Sequence, residues 1–287
     1  MICKPPFIKP IAVLYNHLAG AGKALEIVNR LSRYLTANDL PYKTFDQHWP
    51  EELSGFSEIW LAGGDGTVNF FVNRYTDLAI PLVIFNGGTG NDVHSILYGD
   101  INLEEQLERI KLATPRKIDL ATCNDRYFLN GIGIGFEGAV ARDLSGKTKR
   151  PGKTSFLIAI LKRIFFYSSR TYQLRSAEYN SQGTYLIIDV ANGQRAGGGF
   201  HIAPESAIDD GLLDVILVNK LPPLLRLRYL PVIEKGKHLG LPFIKHFRTK
   251  NIIIESEKEM LAHLDGEVYM AKRMEIGMLP AKLLVRY

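Results

Sequence analysis

The sequence predicts two domains of different class: a parallel α/β domain over the first 115 or so residues, and a mainly antiparallel, sandwich- or barrel-like β domain from about residue 118. Two features of the chain carry this. Short apolar runs alternate with stretches of helical spacing up to about 115, and the rhythm then shifts to short β-rich pieces separated by Gly, Asn and Pro. A third feature, glycine clusters at the ends of the early apolar runs, falls where α/β sheets bind their ligands.

In chain order, IAVLYN (11–16) reads as a strand, and GKALEIVNRLSRYLTAND (22–39) carries Leu25, Val28, Leu31 and Leu35 at helical spacing. YKTFD (42–46), SEIWLA (57–62), TVNFFVNRY (67–75), PLVIFN (81–86) and LEEQLERIKLA (103–113) continue the alternation. The β-rich half comprises KIDLATC, RYFLNGIGIG, TYQLRSAEY, TYLIIDVAN, GLLDVILVN and KNIIIES. One helical segment (153–168) interrupts it, and 222–238 looks like another. There is no internal repeat and no low-complexity tract.

At 46% apolar and 23% charged residues, the 287-residue chain has ordinary globular composition and length for one large or two medium domains. The net charge of +5 favours anionic partners without choosing among them. Cys3 and Cys123 are the only cysteines, which excludes a disulfide framework or a cysteine metal site. The seven histidines lack metal-ligand spacing. MICKPPFIKP has no signal-peptide core, and FLIAILKRIFFY (156–167) is too short to span a bilayer. A cytoplasmic location is expected.

Three glycine clusters compete as a phosphate cradle. HLAGAGKA (17–24) fails as a Walker motif, since His17 and Ala24 stand where Gly and Ser or Thr are required, but it follows a strand and opens a helix whose N-terminus favours anions. GIGFEG (133–138) spells the dinucleotide fingerprint without the acid expected about 20 residues on. It is read as a tight inter-domain packing turn. GGDGT (63–67) is followed, after one helix and one strand, by NGGTGND (86–92). Two such turns after consecutive strands lie side by side, and their backbone amides suit a phosphate chain, with Asp65 and Asp92 available to hold Mg²⁺ or position an acceptor.

GGDGTVNFFVN followed by IFNGGTGNDVHSIL resembles the diacylglycerol kinase catalytic-domain family, which includes soluble bacterial lipid kinases and sphingosine and ceramide kinases. The likeness extends through RKIDLATCNDRYFLNGIGIGFEG, ANGQRAGGGFHIAPESAIDDGLLDV and LDGE (264–267). It implies a Rossmann-like three-layer α/β nucleotide domain of NAD-kinase and phosphofructokinase type, residues 1–118 with 278–287 returning to it, and a C-terminal β-sandwich lipid-substrate domain, 119–277. The implied activity is an ATP-dependent lipid kinase using Mg²⁺ and favouring diacylglycerol. Carried over residue by residue, Asn16, Thr44, Gly63, Gly64, Asp65, Gly66, Thr67, Asn69 and Thr89 would contact the nucleotide; His17 departs from the family's proline. Asp65, Asp92 and Asp119 match acids around Mg·ATP and the acceptor hydroxyl. Glu267 is favoured as catalytic base with Asp265 as its partner, and the reverse assignment stays open. AIDDGLLDV (207–215) is similar to a segment that binds a structural Mg²⁺ through Asp210 and the carbonyls of Ala207 and Leu212.

A lipid acceptor requires peripheral contact with the inner face of a membrane. Residues 146–175 carry Lys147, Lys149, Arg150, Lys153, Lys162, Arg163, Arg170 and Arg175 without an acid, and 221–250 is basic and apolar with Glu234 its one acid. One of these segments is expected to touch lipid. Analogy suggests a homodimer, and no nucleic-acid partner is expected. Rival readings are an NAD kinase, a kinase for phosphatidylglycerol or a sphingoid base, a phosphofructokinase relative, and a nucleotide-binding regulator without catalysis.

Overall fold

A computed structural model describes residues 9–145 and 153–287, with side chains from 157 onward in the second stretch, so Lys147, Lys149, Arg150 and the side chain of Lys153 lie outside the described residues. The chain divides into two compact units, Met1–Lys117 with Leu283–Tyr287, and Ile118–Lys282.

The first unit is a three-layer α/β fold. Strands β1 (Ile11–Tyr15), β2 (Tyr42–Asp46), β3 (Glu58–Gly63) and β4 (Leu82–Asn86) pair in parallel in the order β2-β1-β3-β4. β1, β3 and β4 are buried along nearly their whole length, as expected of parallel strands covered on both faces. Helix α1 (Lys23–Ala37) buries Ala24, Ile27, Val28, Leu31 and Leu35. Leu25, which the sequence placed on that stripe, is exposed instead, because the 3.6-residue period centres the buried face on Ala24 and Ile27. Helices α2 (Asp65–Arg74), α3 (Asp92–Tyr98) and α4 (Leu103–Leu112) follow β3 and β4, and a reciprocal Asn102–Glu105 capping box starts α4. The end of the chain joins this sheet: Val285 pairs with Leu82. Arg286 donates to Glu58 Oε1 (2.6 Å) and to the Ala113 carbonyl (2.7 Å), while Tyr98 Oη donates to the Arg286 carbonyl (2.8 Å).

The second unit is β-rich. Its strands are β5 (Arg116–Cys123), β6 (Arg126–Phe128), β7 (Gly131–Gly135), β8 (Arg170–Arg175), β9 (Asn180–Ala191), β10 (Leu213–Asn219), β11 (Ile244–Thr249), β12 (Asn251–Leu264) and β13 (Glu267–Val285). The long strands β9 and β12 each pair antiparallel with β7 near their C-terminal ends and with β8 near their N-terminal ends. The four strands therefore close into a ring of neighbours, around which Phe128, Ile132, Tyr172, Ile188, Ile254 and Met260 form a core. A second apolar cluster, including Phe136, Val140, Ile160, Ile164 and Ile216, joins the sheet to helices α5 (Phe136–Leu144), α6 (Lys153–Phe166) and α7 (Pro223–Glu234).

Two expectations change here. Arg163 is not a free basic residue: it forms a two-pronged ion pair with Asp143 of α5 (2.8 and 2.5 Å), and Arg175 likewise pairs with Glu255. The GIGFEG glycines serve packing, as expected, but within the second unit. A Cβ on Gly138 would fall 2.6 Å from the Leu261 carbonyl carbon, so the glycine lets α5 lie directly on β12.

That contact yields a stability test. Gly138→Ala forces backbone apart and is expected to destabilise the protein by about 1–3 kcal/mol. Gly55→Ala, where an added Cβ meets nothing within 4 Å, should stay within about 0.5 kcal/mol. Equal denaturation midpoints for the two variants would contradict the packing reading.

Candidate active site

Because β1, β3 and β4 run parallel, the turns that follow them emerge at one edge of the sheet. All three are glycine turns, and their backbones touch. A Cβ on Gly64 would lie 2.7 Å from the Gly90 carbonyl oxygen and 2.9 Å from Gly88 Cα; one on Gly87 would lie 2.9 Å from Gly63 N. Gly20, at φ +60°, would place a Cβ 2.5 Å from the Gly87 carbonyl oxygen. Side chains would push these turns apart whatever ligand they receive. HLAGAGKA therefore belongs to the same constellation as GGDGT and GGTGND.

Asp65 locks two of these turns together. It opens α2, and its Oδ2 accepts the Asp92 N–H (3.2 Å) while Oδ1 accepts the Val93 N–H (3.1 Å). In return the Asp65 N–H donates to the Gly90 carbonyl (3.3 Å). A carboxylate between glycines thus satisfies first-turn amides of α3, which have no intrahelical acceptor, and complements the positive end of that helix. The N-termini of α1, α2 and α3 are all delivered to this edge, an arrangement suited to phosphate. Thr89 is exposed in the third turn, Thr67 packs over Gly63, and Asn69 lies one turn into α2 with its carbonyl accepting from Asn73. Asn16 Oδ1 accepts from Leu18 N and Gln47 Nε2, and His17 binds Asp46 through both its N–H (3.1 Å) and Nδ1 (2.7 Å). Thr44 is exposed at mid-strand on β2, in register with Val13, away from the turns.

Sequence reasoning passed over Lys23. It is the first residue of α1, and its ammonium reaches Asn86 Oδ1 (2.7 Å) at the start of the third turn. The position after Gly22 was the available signal, obscured once the Walker spacing failed.

In the second unit, LDGE forms the connection between β12 and β13. Leu264 pairs with Glu267, and the two residues between them, Asp265 and Gly266, have φ of +47° and +91°, the left-handed pair of a tight hairpin turn. Asp265 is buried. Its Oδ2 accepts Leu129 N–H (2.8 Å) and its Oδ1 accepts both Asn130 N–H (2.9 Å) and Gly131 N–H (3.0 Å). Glu267 is exposed. Asn192 extends the network by donating to the carbonyls of Leu129 (2.6 Å) and Asp119 (3.4 Å). Asn130 and Asn192 had no role from sequence, although each opens an Asn-Gly pair.

Asp119 is buried as well, and both of its oxygens hold backbone: Oδ2 accepts Gly211 N–H (2.6 Å) and Oδ1 accepts Ala281 N–H (2.7 Å). The Asp119 N–H donates to Ile208 O, and Asp210 Oδ1 accepts Leu212 N–H. Asp119 and Asp210 thus hold the backbone of the 207–212 loop. Among the described residues no three His, Cys, Asp or Glu side chains are grouped as metal ligands. Around Asp65 and Asp92 the donors suit an ion of Mg²⁺ type that arrives with a nucleotide, keeps most of its water and takes one or two carboxylates. Burial, with a smaller contribution from Asp125, pushes the Cys123 thiol up to about 12, which leaves it inert as a nucleophile.

Known proteins bear out this architecture. Residues 10–123 match the diacylglycerol kinase catalytic domain, and residues 130–286 match the YegS C-terminal NAD kinase beta sandwich-like domain. A protein of Chromohalobacter salexigens named "Probable lipid kinase YegS-like" is 29% identical over 241 residues, covering 80% of this chain and 76% of that protein. Its namesake from Pectobacterium atrosepticum is 29% identical over 238 residues, covering 79% and 77%. A solved diacylglycerol kinase structure from Bacillus anthracis superposes with a TM-score of 0.73 at 23% identity, covering 99% of this chain and 98% of that one, a likeness of fold. With a catalytic-domain match on one unit and a sandwich-domain match on the other, the chain belongs to the YegS-type lipid kinases of the diacylglycerol kinase catalytic-domain family.

Proposed function

We propose that the enzyme transfers the γ-phosphate of ATP to the hydroxyl of diacylglycerol, giving phosphatidic acid and ADP. The observation that carries this reading is the backbone-to-backbone convergence of three glycine turns and three helix N-termini at one sheet edge, with Lys23 beside them. The choice of diacylglycerol is supported by the match of residues 10–123 to the diacylglycerol kinase catalytic domain.

In this reading the amides of the turns and the Lys23 ammonium hold the nucleotide phosphates. A divalent ion bound with the nucleotide supplies charge neutralisation for phosphoryl transfer. Asp65 keeps the second and third turns in register through Asp92 and Val93. Glu267 accepts the proton of the lipid hydroxyl as that oxygen forms its bond to phosphorus. Asp265 is the weaker candidate for base, because three backbone donors already occupy its oxygens.

Membrane contact is part of the same reading. Of the fourteen large hydrophobic side chains exposed among the described residues, five lie on α6 (Leu157, Ile158, Leu161, Phe165 and Phe166) and three on α7 (Leu224, Leu225 and Leu227). The two helices are joined, since Arg226 donates to the carbonyls of Ile164 (2.9 Å) and Tyr167 (2.7 Å). Lys162 and Arg228 stand exposed on them, and neither helix has an acid in its first turn. An apolar surface with basic residues suits an anionic lipid interface. No helix among the described residues is long and apolar enough to cross a membrane.

Four outcomes are expected. With labelled ATP, turnover should occur on diacylglycerol above phosphatidylglycerol, sphingoid base and NAD; turnover on NAD alone would overturn the assignment. Glu267→Gln should lower kcat by about 10²-fold or more with stability within about 0.5 kcal/mol of the parent. Asp265→Ala should instead destabilise the protein by about 1–3 kcal/mol through its orphaned amides. The reverse pattern would make Asp265 the base. Changing Ile158, Phe165 and Leu224 together to Glu should weaken binding to phosphatidylglycerol vesicles at least about tenfold. Unchanged vesicle binding would remove this face from the account.

A further inference from the structure

One row of the second unit holds side chains that the proposed chemistry does not use. Across β9, β7 and β12, Asp189, Gly133 and His263 are successive cross-strand partners. They therefore share a sheet face. The middle of this row has no side chain, and Glu137, from the first turn of α5, fills the gap. A Cβ on Gly133 would lie 2.5 Å from His263 Nε2 and would overlap Glu137 Oε2.

His263 faces two ways from this row. Its Nε2 lies 3.5 Å from Glu137 Oε2, both side chains being mostly buried, and its Nδ1 accepts the Gly266 N–H at 3.3 Å. An imidazole nitrogen that accepts carries no proton, so the ring hydrogen sits on Nε2, toward the carboxylate. Glu137 Oε2 and Asp189 Oδ2 have no hydrogen-bond partner among the described residues. Burial, then the Glu137 and Asp214 carboxylates, raise the Asp189 carboxyl well above the usual carboxylate range. Glu137 is the carboxyl group that lies beside His263 Nε2.

Gly266 is the residue between Asp265 and Glu267. The turn is fixed from one side by the bonds from Asp265 to Leu129, Asn130 and Gly131, and from the other by His263. We infer that His263 is a positioning residue: its neutral imidazole, oriented by Glu137 in the space left by Gly133, holds the Gly266 amide and so sets the direction in which Glu267 leaves the turn. The inference rests on Glu267 being the base.

Asparagine places an acceptor where histidine has Nδ1, and glutamine reaches only toward Nε2. His263→Asn should keep kcat within about threefold of the parent, while His263→Gln should lose about tenfold or more in kcat at unchanged KM for ATP, since small misplacements of a catalytic group cost rate. Equal kcat for the two variants, or a loss seen in KM alone, would overturn the role. Nitrogen-15 NMR of the ring in the unaltered protein provides a reading independent of folding and of the base. A protonated Nε2 with bare Nδ1 is expected, and a protonated Nδ1 rejects the inference. A fully active Glu267→Gln alongside the expected ring tautomer would instead place the error in the base assignment.

Discussion

The bond pair from Asp65 to the amides of Asp92 and Val93 is the constraint on which the first unit's site depends. Glycines allow the second and third turns to meet backbone to backbone, but close approach alone sets no register. The carboxylate supplies it, because its two oxygens take two consecutive amides at the start of α3. Those amides would otherwise lack acceptors. One side chain thus fixes where two helix N-termini point, and with them the positive potential at that sheet edge.

The second unit uses the same device. Asp265 gathers three amides of residues 129–131, and Asp119 gathers the amides of Gly211 and Ala281. Each of these aspartates sits in a motif that reads as reactive, and each has its oxygens committed to backbone. Buried carboxylates with two or three amide donors are well satisfied and structurally costly to remove. Lys23 in one unit and Glu267 in the other are exposed instead.

Much of this was legible in the sequence. The alternation of apolar runs and helical spacing specified the parallel unit, and the paired glycine turns specified the sheet edge at which they meet, because both depend on local chemistry. The Asp-Gly pair of LDGE likewise marked its hairpin. What stayed hidden depended on contacts between distant residues. Leu25 sits at helical spacing yet faces solvent, since the sheet decides which stripe is buried. Arg163 looked like a basic surface residue until Asp143, 20 positions away in sequence, came opposite it. The tie from Asn192 to residues 119 and 129 spans more than 60 positions, and no spacing rule reports it.

The central claim, that the glycine turns bound together by Asp65 receive the nucleotide phosphates, is tested most directly by amide hydrogen exchange with and without a non-hydrolysable Mg·ATP analogue. The account predicts that residues 63–67 and 87–93 slow together on binding, since one carboxylate couples them. Binding of the analogue with no added protection in either turn would contradict it.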